Sequence, residues 1–241
     1  MYLINYTSDE FKRNILNANI AIIPIGSVEA HGHHLPLGTD IFSPRLFCEK
    51  INDKLKEEVW ILPEIPYGYC YDMSSYPGTI TIPSEVLSDY IYHIGKSLVN
   101  NKIKKIIFMN GHGGNITAIN LASQKLVQLG IDVMTINWWL DFSNDILSIT
   151  EGQGHAGEDE TSAILHYDEN LVDMSKALKN PYKSTLRINF KNRGKIIYQD
   201  ALSGDATLAS KEKGEKIFNI LTNKLIEIIH KVKNNEYYTC E

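Results

Sequence analysis

The chain carries few cysteines: Cys48, Cys70 and Cys240. They stand far apart, none at zinc-ribbon or redox spacing, and an odd count closes no disulfide framework. It also lacks an excess of positive charge. Its 24 Lys and Arg face 29 Asp and Glu, a net charge of −5. That balance excludes a nucleic-acid binder that relies on a broad basic surface. No run approaches the roughly 20 apolar residues that a membrane span needs. The opening segment MYLINYTSDEFKRN has no basic region followed by an apolar stretch, so no signal peptide is expected. The expectation is a cytoplasmic protein with no membrane partner. Linkers, fixed-period repeats and biased tracts are missing too, so residues 1–241 are expected to form a single domain. With 43% hydrophobic and 22% charged residues, the composition is that of an ordinary globular protein.

What is present is an alternation of short apolar runs and amphipathic segments. Thr7-Ser8-Asp9-Glu10 reads as a capping box ahead of a short helix to about Asn17. Ile20 to Gly26 is a nearly continuous apolar run ending in glycine, as in a buried parallel strand. Residues 43–56 suit a helix and Val59 to Leu62 a second strand. Ser84 is placed as the cap of a helix with Leu87, Ile91, Ile94 and Leu98 on one stripe. Lys105 to Asn110 is a third strand, residues 115–129 a helix stopped by Gly130, and Ile131 to Ile136 a fourth strand. Helices follow near 158–167 and 208–233. This order predicts an α/β fold, a three-layer α/β/α arrangement with a mostly parallel central sheet. In such folds ligands bind beyond the carboxyl ends of the strands.

The polar motifs fall at those ends. After the first strand, Gly26 to Asp40 holds Glu29, His31, His33, His34 and Asp40, with three of the chain's eight histidines in four positions. Imidazole and carboxylate together suit zinc, iron or manganese. After the third strand comes Asn110-Gly111-His112-Gly113-Gly114-Asn115, whose spacing matches neither a P-loop nor a dinucleotide fingerprint. The third motif, Gly154-His155-Ala156-Gly157-Glu158-Asp159-Glu160-Thr161-Ser162, opens a helix. Acids at a helix start are favoured by the dipole alone, whereas His155 has no such structural reason to be there. Ser27 and Ser162 lie in no nucleophile elbow, and no cysteine stands beside a candidate base in sequence.

Taken together, the three motifs resemble the creatininase family of metal hydrolases. The resemblance extends to Tyr76-Pro77-Gly78-Thr79-Ile80 and to Gly204 to Ser210, and runs from about residue 20 to 216. It implies two divalent metal ions per chain, zinc, manganese or iron. Glu29 and His112 would bind one and His31 the other, with Asp40 bridging. Gly113 and Gly114 stand where creatininase itself has a tyrosine and a ligating glutamate. The implied replacement ligand is Glu160, with Glu158 as a second candidate. His155 matches the family's catalytic histidine. The glycines at 113 and 114 are expected to leave room for substrate.

The function so implied is amidohydrolysis of a small cyclic or formyl amide by metal-activated water. The alternatives are a peptidase trimming a modified precursor peptide, favoured by a long open groove, and a catalytically silent metal-binding or ligand-binding protein. The resemblance also implies a homo-oligomer, often a hexamer. Trp138 and Trp139 are read as a subunit contact, a substrate lid or core packing at a strand end.

Overall fold

The sheet is built from runs that bury both faces. In a computed structural model that describes residues 1–181 and 189–237, strands β1 (Ile20–Ile25), β2 (Val59–Ile61) and β3 (Lys105–Asn110) are buried at every position. Strand β4 (Asp132–Asn137) is one of the two edges and is exposed where it begins. All pairings are parallel, in the order β2-β1-β3-β4, with Ile20 opposite both Val59 and Lys105 and Lys105 opposite Asp132. Pro24 lies in the central strand β1, where a missing N–H would ordinarily break the ladder. Its carbonyl accepts from Ile65 N, on the side where β2 has already ended. Its nitrogen faces that same side, so no strand bond is lost.

Helices cover both faces because successive strand residues point opposite ways. Helix α1 (Ser8–Asn14) closes one border, with the Thr7/Glu10 capping box in place, and ends at Asn14 rather than Asn17. Ile20, Ile22, Ile107 and Met109 pack with Phe47 and Ile51 of helix α2 (Thr39–Leu55). Ala21, Ile23, Ile106 and Phe108 pack on the other side with Leu87 and Ile91 of α3 (Ser84–Asn100) and with Ile119 and Leu126 of α4 (Ile116–Val127). Beyond β4 the chain forms two short helices, α5 (Trp138–Asp141) and α6 (Ser143–Leu147), and then α7 (Glu158–Tyr167). A two-residue strand β5 (Lys179–Asn180), helix α8 (Arg193–Ile197) and strand β6 (Gly204–Asp205) precede the long α9 (Lys211–Lys233). Strands β5 and β6 pair antiparallel. Helices α7 and α9 join α2 on the first face. They lie close because Gly214 has no side chain: a Cβ there would stand 1.9 Å from the Ser162 carbonyl. Among the described residues, no helix is long and apolar enough to cross a membrane.

Further boundaries differ from the sequence reading, several for identifiable reasons. Helix α2 starts at Thr39, not residue 43, and takes Pro44 into its interior. Proline cannot donate to the carbonyl four residues earlier, which is that of Asp40. Helix α3 is capped by Pro83 without a side-chain bond, so Ser84 is its first residue and not its cap. Helix α9 begins at Lys211, where Ser210 accepts from Lys213 N, and not at Leu208. Cys240 lies outside the described residues.

Candidate metal centre

The order β2-β1-β3-β4 places a switch point between β1 and β3. From β1 the chain turns into α2 on one face, and from β3 into α4 on the other. The crevice at the carboxyl ends of such strands is where ligands bind in open α/β sheets. The first turn of α2 lies directly across these ends. A Cβ at Gly26 would stand 2.5 Å from the Asp40 carbonyl, and one at Gly111 2.1 Å from it. Two glycines therefore let α2 bring Asp40 between the loop after β1 and the loop after β3. The loop carrying Glu29 is held by Ile80 N on the Val28 carbonyl and by Thr79 Oγ1, which accepts from Ala30 N at 3.0 Å. That is the structural use of the Tyr76–Ile80 segment.

Glu29, His31, Asp40, His112, His155 and Glu160 all converge here. Asp40 reaches both ways: Oδ1 lies 2.9 Å from His31 Nε2 and Oδ2 lies 3.0 Å from His112 Nδ1. Ser27 Oγ donates to the same Oδ2 at 2.6 Å. Glu29 Oε1 is 3.2 Å from His112 Nδ1 and 3.6 Å from His155 Nδ1. Glu160 Oε2 is 3.5 Å from His31 Nε2. The His31 and His155 rings lie against each other, tilted by 35°, with centroids 4.2 Å apart.

The orientation of each imidazole follows from its other nitrogen. His31 Nδ1 faces the Glu29 carbonyl at 3.1 Å, His112 Nε2 the Tyr69 carbonyl at 2.9 Å, and His155 Nε2 the Ala30 carbonyl at 2.8 Å. A carbonyl only accepts, so each of these nitrogens carries the hydrogen. The opposite nitrogens all point at carboxylate oxygens. Among the described residues, His31 Nε2, fully buried, finds no partner with hydrogen-bond geometry and faces only the carboxylate oxygens of Asp40 and Glu160. Lone pairs facing lone pairs in a buried site are held together only by a cation between them, a proton or a metal ion. Separations of 2.9–3.5 Å are those of ligand atoms each about 2.0–2.2 Å from a shared ion. The residues therefore fit divalent metal ions.

Without such ions, protons take their place. Burial alone would depress His31, but Asp40, with Glu160 and Glu29 behind it, pushes it up to about 10. His112 is likewise raised well above its ordinary value, against the effect of burial, by Glu29 and Asp40. Asp40, though buried, is held well below the usual carboxylate range by His31 and His112. Burial pushes Glu160 up to about 8. Burial and the charge on His31 push His155 down to about 4.

Of the two candidate glutamates, only Glu160 is in the centre, and its Oε2 also accepts from Ala156 N at 2.7 Å. Ala156 has φ +53, a left-handed conformation unusual for a residue with a Cβ, between His155 and that glutamate. Glu158 points elsewhere. It is 1% exposed, with Oε1 2.6 Å from Lys213 Nζ and Oε2 accepting from Glu151 N and Gly152 N. It is thus a buried ion-pair partner and not a simple helix-start charge. His34 is buried on Thr161 Oγ1 at 2.8 Å, and His33 is exposed beside Asp200.

A cavity of about 640 Å³ opens over the cluster, walled by Tyr69, Tyr71, Trp139, Gln153, Arg193 and Tyr198 among others. None of these six was singled out from sequence except Trp139, for they sit in loops without periodicity. Trp138 is core at 1% exposure, whereas Trp139 faces the cavity. The two glycines also differ. A Cβ at Gly113 would meet only Trp139, at 3.8 Å, so this position does leave room. A Cβ at Gly114 would stand 1.9 Å from the Tyr69 carbonyl and 2.5 Å from His112 Nε2, so Gly114 is bare to let that hydrogen bond form. One cysteine has neighbours in space that the sequence does not place beside it. Cys70 Sγ lies within 4.8 Å of ligand atoms of both Glu29 and His112, although no such neighbour is near it in sequence.

A parallel α/β sheet with buried imidazoles and carboxylates at its switch point is the scaffold of a metal-dependent enzyme. Residues 5–229 match the family model Creatininase, described as creatinine amidohydrolase. The chain belongs to the creatininase family of hydrolases. It is 28% identical over 211 residues to the mycofactocin precursor peptide peptidase of Mycolicibacterium smegmatis, covering 85% of this chain and 81% of that one. It is 26% identical over 233 residues to the creatinine amidohydrolase of Pseudomonas putida, covering 87% and 88%. The solved structure "Creatininase Mn" superposes with a TM-score of 0.83 at 23% identity, over 95% of this chain and 97% of that one. The α/β fold with a parallel central sheet is thus the fold of the solved creatininases.

Proposed function

We propose that the protein is a metal-dependent amidohydrolase that cleaves a C–N bond of a small cyclic or formyl amide. The observation that carries this reading is the convergence of Glu29, His31, Asp40, His112, His155 and Glu160 beneath one cavity. Glu29, Asp40 and His112 would hold one divalent ion, and His31, Asp40 and Glu160 a second, with one oxygen of Asp40 turned to each. Divalent ions held so acidify water toward neutral pH and polarise the scissile carbonyl.

The remaining steps belong to the side chains. His155 is fixed by its Nε2–H on the Ala30 carbonyl, and its backbone is tied to Ser203 by His155 N on Ser203 Oγ at 3.0 Å and Ser203 N on the His155 carbonyl at 2.8 Å. Its Nδ1 is left facing the cluster and the cavity. Kept neutral by burial, that nitrogen can take a proton from the attacking water and deliver it to the leaving nitrogen. Hydrogen bonds from the His31 and His112 ring N–H groups to backbone carbonyls fix which nitrogen each ring presents. The cavity volume of about 640 Å³ lies in the range of sites for small ligands.

One observation favours a second reading, the trimming of a peptide. A neighbouring cavity of about 700 Å³ shares Tyr69, Tyr71, Gly113, Gly114 and Thr117 with the first and extends to the start of α3. The pair forms a groove longer than a small amide requires. The test is turnover by protein reconstituted with zinc, manganese or iron(II), offered formamides, lactams, creatinine and short peptides. Turnover of the small amides is expected, with little activity on creatinine because Gly113 and Gly114 replace the tyrosine and glutamate of creatininase. Turnover of peptides alone would establish the second reading instead. A metal-loaded protein inert to all of them would be a binding protein.

A further inference from the structure

Cys48 and Cys70 are almost equally buried, at 1% and 2% exposure, yet their surroundings differ. Cys48 belongs to the apolar core around Phe47 and Ile51, where a buried cysteine acts as a small hydrophobe. Cys70 belongs to no hydrophobic cluster among the described residues and lines the cavity over the centre. Its sulfur, a ligand atom of Glu29 and a ligand atom of His112 all lie within 4.8 Å of one another. Its backbone is anchored by two hydrogen bonds. Cys70 N donates to Thr81 Oγ1 at 2.9 Å, and Tyr69 N donates to Asn115 Oδ1 at 3.1 Å. The carbonyl just before it, that of Tyr69, is the one that orients His112. The same short segment therefore aims the imidazole and presents the thiol to it.

We propose that Cys70 is a fourth protein ligand to the ion held by Glu29, Asp40 and His112, so that the two ions have unlike environments. This rests on the metal-hydrolase reading above. On coordination the thiol proton leaves to solvent and the thiolate donates to the ion. Sulfur and nitrogen on one tetrahedral zinc sit roughly 3.5 Å apart, given Zn–S near 2.3 Å and Zn–N near 2.0–2.1 Å. A sulfur already within 4.8 Å of both partners' ligand atoms is near enough to share their ion. The consequence is a division of labour. One ion then has four protein donors, Glu29, Asp40, His112 and Cys70, and leaves less room for water than its neighbour. The other has three, His31, Asp40 and Glu160, which is the open set of a catalytic one. The soft sulfur also biases the first position toward zinc and against manganese.

The test is a cobalt(II) titration of the metal-free full-length protein, followed by absorption. A thiolate bound to cobalt gives a near-ultraviolet charge-transfer band that carboxylate and imidazole ligands do not. The band is expected to grow with the first equivalent, to persist in Cys48→Ala and to be lost in Cys70→Ser. The same Cys70→Ser variant should lose its preference for zinc over manganese at the tighter of its two sites. Cobalt bound at two per chain without the band, or a band unchanged in Cys70→Ser, would overturn the assignment while leaving the metal-hydrolase reading intact. Failure to bind cobalt at all would overturn both.

Discussion

Gly114 offers a quantitative handle on how the centre is built. Its φ is not in the left-handed region, so alanine is not excluded there by backbone conformation. What alanine meets is the Tyr69 carbonyl at 1.9 Å and His112 Nε2 at 2.5 Å, distances that no real Cβ tolerates. An ordinary carbon–oxygen contact is about 3.3 Å, so carbonyl or ring must retreat by roughly 1 Å or more. The hydrogen bond that orients His112, now 2.9 Å, is broken by such a shift. Loss of an outer partner of a ligating histidine typically costs about 10–100-fold in metal affinity, or roughly 1.4–2.7 kcal/mol. Gly113→Ala is the internal control, since its Cβ meets nothing nearer than Trp139 at 3.8 Å. Competition with a chromophoric chelator on the wild type and both variants reads this difference. Gly114→Ala should bind at least one ion about 10–100-fold more weakly, and Gly113→Ala should bind as the wild type does. Wild-type affinity in Gly114→Ala, or an equal loss in both variants, would refute the claim that the Tyr69 carbonyl sets the histidine.

The other predictions concern roles and protons. His155→Ala should keep its metal and lose roughly 10²–10⁴-fold in kcat, and a loss of metal instead would make the histidine a ligand. Glu160→Gln should weaken metal binding, because a neutral amide is a poorer donor, whereas Glu158→Gln should keep metal and lose stability. That loss is about 1–3 kcal/mol, from a buried carboxylate bonded to Lys213 and two backbone amides; chemical denaturation and metal analysis of both variants separate the cases. Metal affinity should rise with pH, since His31, raised to about 10, His112, raised well above its ordinary value, and Glu160, raised to about 8, hold protons at neutral pH that the ions must displace. Below about pH 8 all of these protons are displaced and the slope is steeper. Above it Glu160 is already ionised and the slope falls, which calorimetry in buffers of different ionisation enthalpy will detect as fewer protons released.

The parts of the fold readable from sequence are those where local pattern and tertiary need coincide. Strands β1 and β3 are continuous apolar runs that end in glycine and then polar motifs, and they form the two central strands with the centre at their tips. The start of α2 was not readable, because Pro44 looks like a first-turn residue and lies instead inside the helix. Glu158 and Glu160 are two residues apart on a helix and so project about 200° apart. Only one of them can face the centre, and which one depends on how α7 is turned against α9, where Lys213 claims Glu158. Cys70 meets His112 across 42 positions, through a loop with no periodicity, and no spacing rule marks that encounter. The resemblance of the motifs supplied the identity of the centre; the side-chain contacts supply which atoms face it.

The central claim is that one carboxylate, Asp40, joins two ions. Its oxygens diverge, 2.9 Å from His31 on one side and 3.0 Å from His112 on the other. Elemental analysis of protein purified without chelator, beside Asp40→Ala purified identically, tests it most directly. Two divalent ions per wild-type chain and loss of most of both in a folded variant are expected; full metal content in Asp40→Ala would contradict the shared site.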